Sequence, residues 1–232
     1  MINYTRRDFM RIIARIKNDF KEKFGIPRQS GLVPTRARIV FEPEYRRPEA
    51  LRGIEGYSHL WLIWEFSEAV RESWSPTVRP PRLGGNRRMG VFATRSPYRP
   101  NPIGLSSVRL ARVVSTESEG VVLEVEGADL LDGTPIYDIK PYLSFTDSHP
   151  DAVSGFADGV LGYSLAVDFP SEYRERIRPE CIEEIERLLE GDPRPAYIDE
   201  PERVYGMKYA EYDIFFKVSD GTLTVVDIKE TR

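Results

Sequence analysis

Short apolar runs separated by proline and glycine set the rhythm of this chain: Leu60 to Trp64, Gly90 to Ala93, Val108 to Val114, Val121 to Val125 and Ile136 to Ile139. Runs of this length and spacing predict strands of a sheet or barrel. Between them, Ser73 to Asn86 and Ser96 to Pro102 hold prolines that cannot donate to a central ladder, which predicts stiff loops. Further on, the period changes. Pro179 suits the first turn of a helix, Ile182, Ile185, Leu188 and Leu189 form its apolar stripe, and Gly191 followed by Pro193 ends it. Tyr212 to Val218 and Leu223 to Ile228, joined through Asp220 and Gly221, predict a β-hairpin with a two-residue turn. Phe9, Ile12, Ile13, Ile16 and Phe20 recur at helical spacing, so periodicity alone favours an amphipathic helix there.

Composition then bounds the answer. A chain of 232 residues with 41% apolar content can bury one main core and a smaller second one. Its apolar runs are too short to span a bilayer and MINYTRRDFM lacks the apolar stretch of a signal peptide, so a cytoplasmic protein is expected. One cysteine, Cys181, excludes an internal disulfide, and with only His59 and His149 beside it no Cys/His zinc site is expected; the expected metal count is none.

The net charge of −4 hides a split along the chain. Residues 71 to 112 hold nine arginines and the single acid Glu72, whereas residues 113 to 232 hold 11 basic and 27 acidic residues. A local excess of arginine is the footprint of phosphate binding whatever the global balance, and the guanidinium plane also stacks on bases. Pairing of these arginines with the acidic C-terminal part, across the fold or a dimer interface, remains an equal reading.

Three segments concentrate candidate chemistry. In Thr94 to Ser106 (TRSPYRPNPIGLS), Pro97, Pro100 and Pro102 fix the backbone and present Arg95, Tyr98, Arg99 and Asn101 in set directions, as a binding loop requires. In Gly127 to Tyr142 (GADLLDGTPIYDIKPY), Asp129, Asp132 and Asp138 offer carboxylates to an amine, a ribose or an ammonium group. Asp132 before Gly133 is also a common turn pair, and position twelve counted from Asp129 is Lys140, which disfavours a calcium loop. In Phe24 to Val33 (FGIPRQSGLV), Gln29 has an amide able to read an adenine edge or simply to face water. His59, inside YSHLWLIW, reads as a core histidine, and Cys181 as a packing residue. The sequence lacks GxGxxG, Walker A and GxSxG patterns, so a nucleotide-like cofactor must be held in some other way.

Taken in order, KFGIPRQSGLV, RGIEGYSHLWLIW, VRPPRLGGN, GVFATRSPYRPNPIGLS, GADLLDGTPIYDIKPYL, DPRPAY and VYGM resemble the TsaA-like, or TrmO, family of S-adenosylmethionine-dependent tRNA methyltransferases. The resemblance implies a single-sheeted β-barrel as the main domain, over residues 1–169, which with the small C-terminal α+β domain that the helix and hairpin patterns predict over 170–232 makes the expected fold mainly β. It favours a strand across Arg11 to Ile16 over the helix, and a homodimer with the cofactor near its interface. By position it implies S-adenosylmethionine contacts at Pro27, Arg28, Gln29, Ser67, Glu68, Arg95, Leu105, Asp129, Leu130, Leu131 and Asp132. The implied methyl acceptor is the exocyclic nitrogen of threonylcarbamoyladenosine beside the anticodon. From the two richest loops, Asn101 is expected to orient the amine, and Asp132 or Asp138 to accept a proton or steer the sulfonium. Arg79, Arg82, Arg87, Arg88 and Arg99 are expected to meet the tRNA anticodon arm with salt-sensitive affinity, and Arg95 to face the cofactor. A noncatalytic RNA- or adenosine-ligand-binding β-domain and a small-molecule methyltransferase are the competing readings.

Overall fold

The structure, a computed structural model, describes residues 10–80, 87–160, 162–194 and 200–231. In chain order the strands are β1 Ala14–Asn18, β2 Arg36–Phe41, β3 His59–Glu65, β4 Thr77–Val78, β5 Met89–Gly90 and β6 Ile103–Thr116. They continue with β7 Gly120–Glu126, β8 Pro135–Pro141, β9 Ala166–Asp168, β10 Tyr205–Tyr209, β11 Tyr212–Ser219 and β12 Thr222–Glu230. The α-helices are α1 Ser144–Asp147, α2 Ser171–Arg174 and α3 Pro179–Glu190. The fold is therefore mainly β. It divides into two compact units: Met1–Asn18, Gln29–Ser73 and Pro97–Tyr142 form one, and Asp19–Arg28, Trp74–Ser96 and Leu143–Arg232 the other.

In the first unit the strands pair in the order β1-β2-β7-β6-β3-β8, and β8 returns to β1 to close the barrel. Strict alternation explains the core. Leu60, Leu62 and Trp64 of β3 point inward with Ile16, Ile39, Phe41, Leu123, Val125 and Ile136, while His59, Trp61 and Ile63 face outward. Burying such side chains stabilises by about 1.5–3 kcal/mol each. At Trp64 the strand directly opposite supplies Gly104, where any Cβ would strike the indole.

The helical spacing near the N-terminus is misleading. Ala14 and Ile16 enter the barrel core while Arg15 and Lys17 face out, so the segment is a strand, β1, beginning three residues later than Arg11. Phe20 belongs to the second unit, where it meets Tyr209 at 5.2 Å between ring centroids, and Phe9 lies outside the described residues. Gly90 to Ala93 also departs from expectation. Its apolar residues form a turn over Val91–Ala93, closed by the Thr94 N–H and hydroxyl, which donate to the Val91 carbonyl at 3.3 and 2.9 Å, and only Met89–Gly90 pairs with Thr77–Val78.

The second unit carries the four-stranded sheet β10-β11-β12-β9, antiparallel except where β9 joins β12 in parallel. The hairpin between β11 and β12 has both turn residues at positive φ, Asp220 at 49° and Gly221 at 76°, the geometry that suits the strand twist. Helix α3 starts at Pro179 and buries Cys181, Ile185, Leu188 and Leu189, and also Glu184, whose carboxylate accepts a hydrogen bond from the Tyr209 hydroxyl at 2.8 Å.

Candidate functional site

The outer wall of the barrel across β6, β3 and β8 presents residues in rows. His59 pairs with Arg109; Trp61 pairs with Ser107 and Lys140; Ile63 pairs with Leu105 and Asp138. Directly opposed residues share a face of the sheet, so Leu105 and Asp138 sit on one wall with Ile63 between them. Leu105 is 55% exposed there, an apolar side chain presented to solvent. This corrects the reading of His59 as a core histidine: it is half-buried on the outer face, its Nδ1 lying 2.9 Å from the Ser58 hydroxyl.

Beside these rows lies a cleft of about 550 Å³ lined by Ser30, His59, Ser107, Arg109, Glu126 and Tyr142, with Gly31, Pro34 and Gly127 completing its border. Two glycine turns meet at its edge. Gly31 N–H donates to the Gly127 carbonyl at 2.8 Å, and at Gly127 a side chain would be strained by the backbone at φ 83° and would crowd the Gly31 backbone, 3.2 Å from its Cβ. Thus the loops bearing Gln29 and Asp129, far apart in sequence, are tied together. The Ser30 hydroxyl accepts the Ser107 N–H at 3.1 Å, pinning its loop to β6. Arg109 donates to Glu126 through Nε at 2.8 Å and Nη2 at 2.7 Å. None of the expected cofactor residues lines this cleft, although Gln29 precedes its Ser30 in the chain and Leu105 lies on the same strand as its Ser107.

Asp129 is held from inside the barrel. Trp64 Nε1 donates to the buried Ser106 hydroxyl at 2.9 Å, which donates to Asp129 Oδ1 at 2.5 Å. Ser106, last residue of the proline loop motif, had no signal beyond its inward parity between the outward Leu105 and Ser107. Asp132 does turn chemistry: its Oδ1 accepts the Asn18 N–H at 3.0 Å at the end of β1, next to Gly133 at φ 76°. The Leu130 side chain is fully buried in the barrel core, so a ligand contact there belongs to backbone, and the Leu130 carbonyl already accepts Asn18 Nδ2 at 2.7 Å. The Leu131 carbonyl accepts both the amide and the hydroxyl of Thr134. Asp138 accepts the Ile139 N–H at 2.9 Å through Oδ1 and sits 3.1 Å from the Lys140 ammonium through Oδ2. It also borders a second hollow of about 370 Å³ with Arg11, Tyr45 and Tyr137.

The other expected residues are dispersed. Pro27 and Arg28 fall in the second unit and Gln29 in the first. Arg28 Nη2 donates to the carbonyls of Asp192 and Arg194, both at 3.0 Å, which gives it a structural task. Ser67 and Glu68 are exposed on a short turn after β3. Arg95 falls in the second unit; Arg99 and exposed Asn101 fall in the first, on a loop held where the Arg71 guanidinium lies 3.9 Å over the Tyr98 ring and Phe66 N–H meets the Pro102 carbonyl at 2.8 Å. Arg79, Arg87 and Arg88 are exposed in the second unit, and Arg82 lies outside the described residues. Of the arginine-rich segment, Arg109 and Arg112 pair with Glu126 and Glu124 on the neighbouring barrel strand. Among the described residues no group of three or more His, Cys, Asp or Glu side chains is arranged for a metal, and no helix is long and apolar enough to cross a membrane.

A closed β-barrel bearing its cleft on the outer wall, followed by a small α+β sheet, matches two family descriptions in chain order. The tRNA-methyltransferase O N-terminal domain covers residues 15–148 and the TrmO C-terminal domain covers 163–231. The chain belongs to the TrmO family of tRNA methyltransferases. It is 41% identical to a protein of Escherichia coli K12 named tRNA (adenine(37)-N6)-methyltransferase, over 92% of this chain and 94% of that one. A Pseudomonas aeruginosa protein whose name describes an S-adenosylmethionine-dependent methyltransferase is 44% identical over 87% of this chain and 89% of its own. The crystal structure of TrmO from Pseudomonas aeruginosa superposes with a TM-score of 0.77 at 34% identity, covering 99% of this chain and 98% of that chain.

Proposed function

We infer that this chain transfers a methyl group from S-adenosylmethionine to N6 of adenosine 37 in tRNA. The observation that carries this is the family match through both domains together with near full-length relatives that bear that activity in their name. S-adenosylmethionine supplies a methyl group already activated by its sulfonium. The residues present fit such a group in kind: Gln29 offers an amide, Asp129 a carboxylate held by Ser106, and Leu105 an exposed apolar side chain, with the Gln29 and Asp129 loops tied together at Gly31 and Gly127. We assign the adenosyl-facing contacts to Gln29, the backbone of Asp129 to Asp132, and Leu105, with Pro27, Arg28, Ser67, Glu68 and Arg95 as further contacts. We also propose a homodimer, an acceptor already carrying the threonylcarbamoyl group, and action in the cytoplasm.

Transfer to an amine requires alignment and loss of one proton, and little covalent work by the protein. Asn101, exposed on the loop braced by the Arg71–Tyr98 contact, is assigned to orient the amine. Between the two candidate carboxylates the wall favours Asp138 as proton acceptor, since it shares a face with Leu105, whereas Asp132 secures the end of β1. Asp138→Asn is expected to lower turnover roughly a hundredfold, in the range of lost general-base catalysis, and Asp132→Asn to stay within a few-fold of the parent. Turnover close to the parent in both variants would dispose of acid–base catalysis by either residue. Arg79, Arg82, Arg87, Arg88 and Arg99 are assigned to tRNA phosphates, so neutralising three of them should reduce both affinity and its salt dependence.

A further inference from the structure

The segment Trp74–Ser96 of the second unit carries aromatic surface that the reading above leaves unused. Trp74 is 52% exposed and Phe92 71% exposed, and their ring centroids lie 6.0 Å apart with 33° between planes. The backbone puts them together: β4 and β5 pair Thr77 with Gly90 and Val78 with Met89, and Val91 N–H extends the pairing to the Pro76 carbonyl. Leaving two large rings side by side in water forgoes the free energy of their burial and marks an interaction surface.

Charge identifies the partner. Between Trp74 and Phe92 the sequence contains Arg79, Arg82, Arg87 and Arg88 and no acid. Arg88 is steered by a hydrogen bond from Nη1 to the Thr77 hydroxyl at 2.8 Å, and Arg79 and Arg87 are exposed. An apolar protein surface docking here would strip water from these cations without pairing them, which costs several kcal/mol per ion. A single-stranded stretch of nucleic acid offers phosphates to the guanidinium groups and base faces to the rings, the combination that such binding surfaces use. We propose that Trp74 and Phe92 are a stacking platform for an unpaired base of the tRNA, a role that rests on the tRNA reading above and adds to it a residue pair that acts by stacking, with no charge to exchange.

The test uses the full chain and an anticodon stem-loop RNA titrated at several salt concentrations. The double variant Trp74→Ala/Phe92→Ala is expected to bind roughly ten- to a hundredfold more weakly with an unchanged salt slope, because lost stacking releases no counterions. Arg79→Gln/Arg88→Gln is expected to flatten that slope. Trp74→Phe should keep most of the affinity while losing most of the RNA-induced quenching of tryptophan emission. Parent-like affinity in the double alanine variant, or a changed molecular mass in sedimentation with unchanged RNA affinity, overturns the platform and leaves the tRNA reading intact. Failure of the parent protein itself to bind the RNA removes both.

Discussion

The outer wall of the barrel and the turn at Asp192 both gather charge, and they handle it in opposite ways. On the wall, Arg109–Glu126, Arg112–Glu124 and Lys140–Asp138 pair across or along strands with their cationic side chains more than half exposed. Water shares in those pairs, so each charge can turn toward a ligand at little cost. Asp192 is 5% exposed and its carboxylate is fully engaged: Arg194 donates through Nε and Nη2 at 2.9 and 3.0 Å, and the Tyr163 hydroxyl at 2.8 Å. Asp192 is also held at φ 50°, and its own carbonyl accepts Arg28. Density of charge in a sequence therefore does not separate a site from a strut. Burial and the number of hydrogen bonds already made do.

That contrast can be broken by substitution, and the largest effect falls on the strut. Asp192→Ala leaves Arg194 buried and unpaired, and is expected to cost about 3–4 kcal/mol of stability in denaturant unfolding, while methyl transfer per folded molecule stays near the parent value. A loss of transfer in the folded fraction without loss of stability would reverse the assignment. Ser106→Ala occupies the middle ground. It strips Trp64 Nε1 and Asp129 Oδ1 of their shared partner, at about 1–3 kcal/mol, and frees the Asp129 loop, so calorimetry should show S-adenosylmethionine affinity falling more than stability does. Affinity unchanged in a folded Ser106→Ala protein would mean that Asp129 needs no internal brace.

Acid sharpens the same comparison by a smaller amount. Burial alone would raise the Asp192 carboxyl, but hydrogen bonds from Arg194 and Tyr163 outweigh it and hold the group below its usual range. A carboxyl with a depressed folded pKa contributes stability that is complete above the unfolded value of about 4 and is lost as pH falls through the folded one. The parent should therefore lose melting temperature more steeply below about pH 4 than Asp192→Asn does. Parallel acid profiles would show that Asp192 is not the group responsible.

How much of this was legible follows from the range of each interaction. Helix α3 and the β11–β12 hairpin were readable because Pro179, Gly191 and the Asp220-Gly221 turn act within a few residues. The closing of the barrel and the exact start of β1 depend on long-range register, Ala14 pairing with both Phe41 and Ile136, and the helical spacing of Ile12, Ile13 and Ile16 competed with the true alternation. Asp129, Asp132 and Asp138 stood out together in sequence, yet the fold gives them separate tasks: one braced by a buried serine, one securing a strand end, one on the outer wall. His59 misled because YSHLWLIW looks continuously apolar, although β3 alternates strictly. Ser106 was silent, since an inward serine is recognised only once the parity of β6 is known.

The central claim is tested most directly by mass spectrometry of nucleosides from the anticodon loop of tRNA incubated with the protein and S-adenosylmethionine. The account predicts that threonylcarbamoyladenosine at position 37 gains the mass of one methyl group, placed on N6 by fragmentation, in the parent and not in Asp138→Asn over the same time. Modified nucleosides left unchanged by a protein that binds both cofactor and tRNA would contradict it.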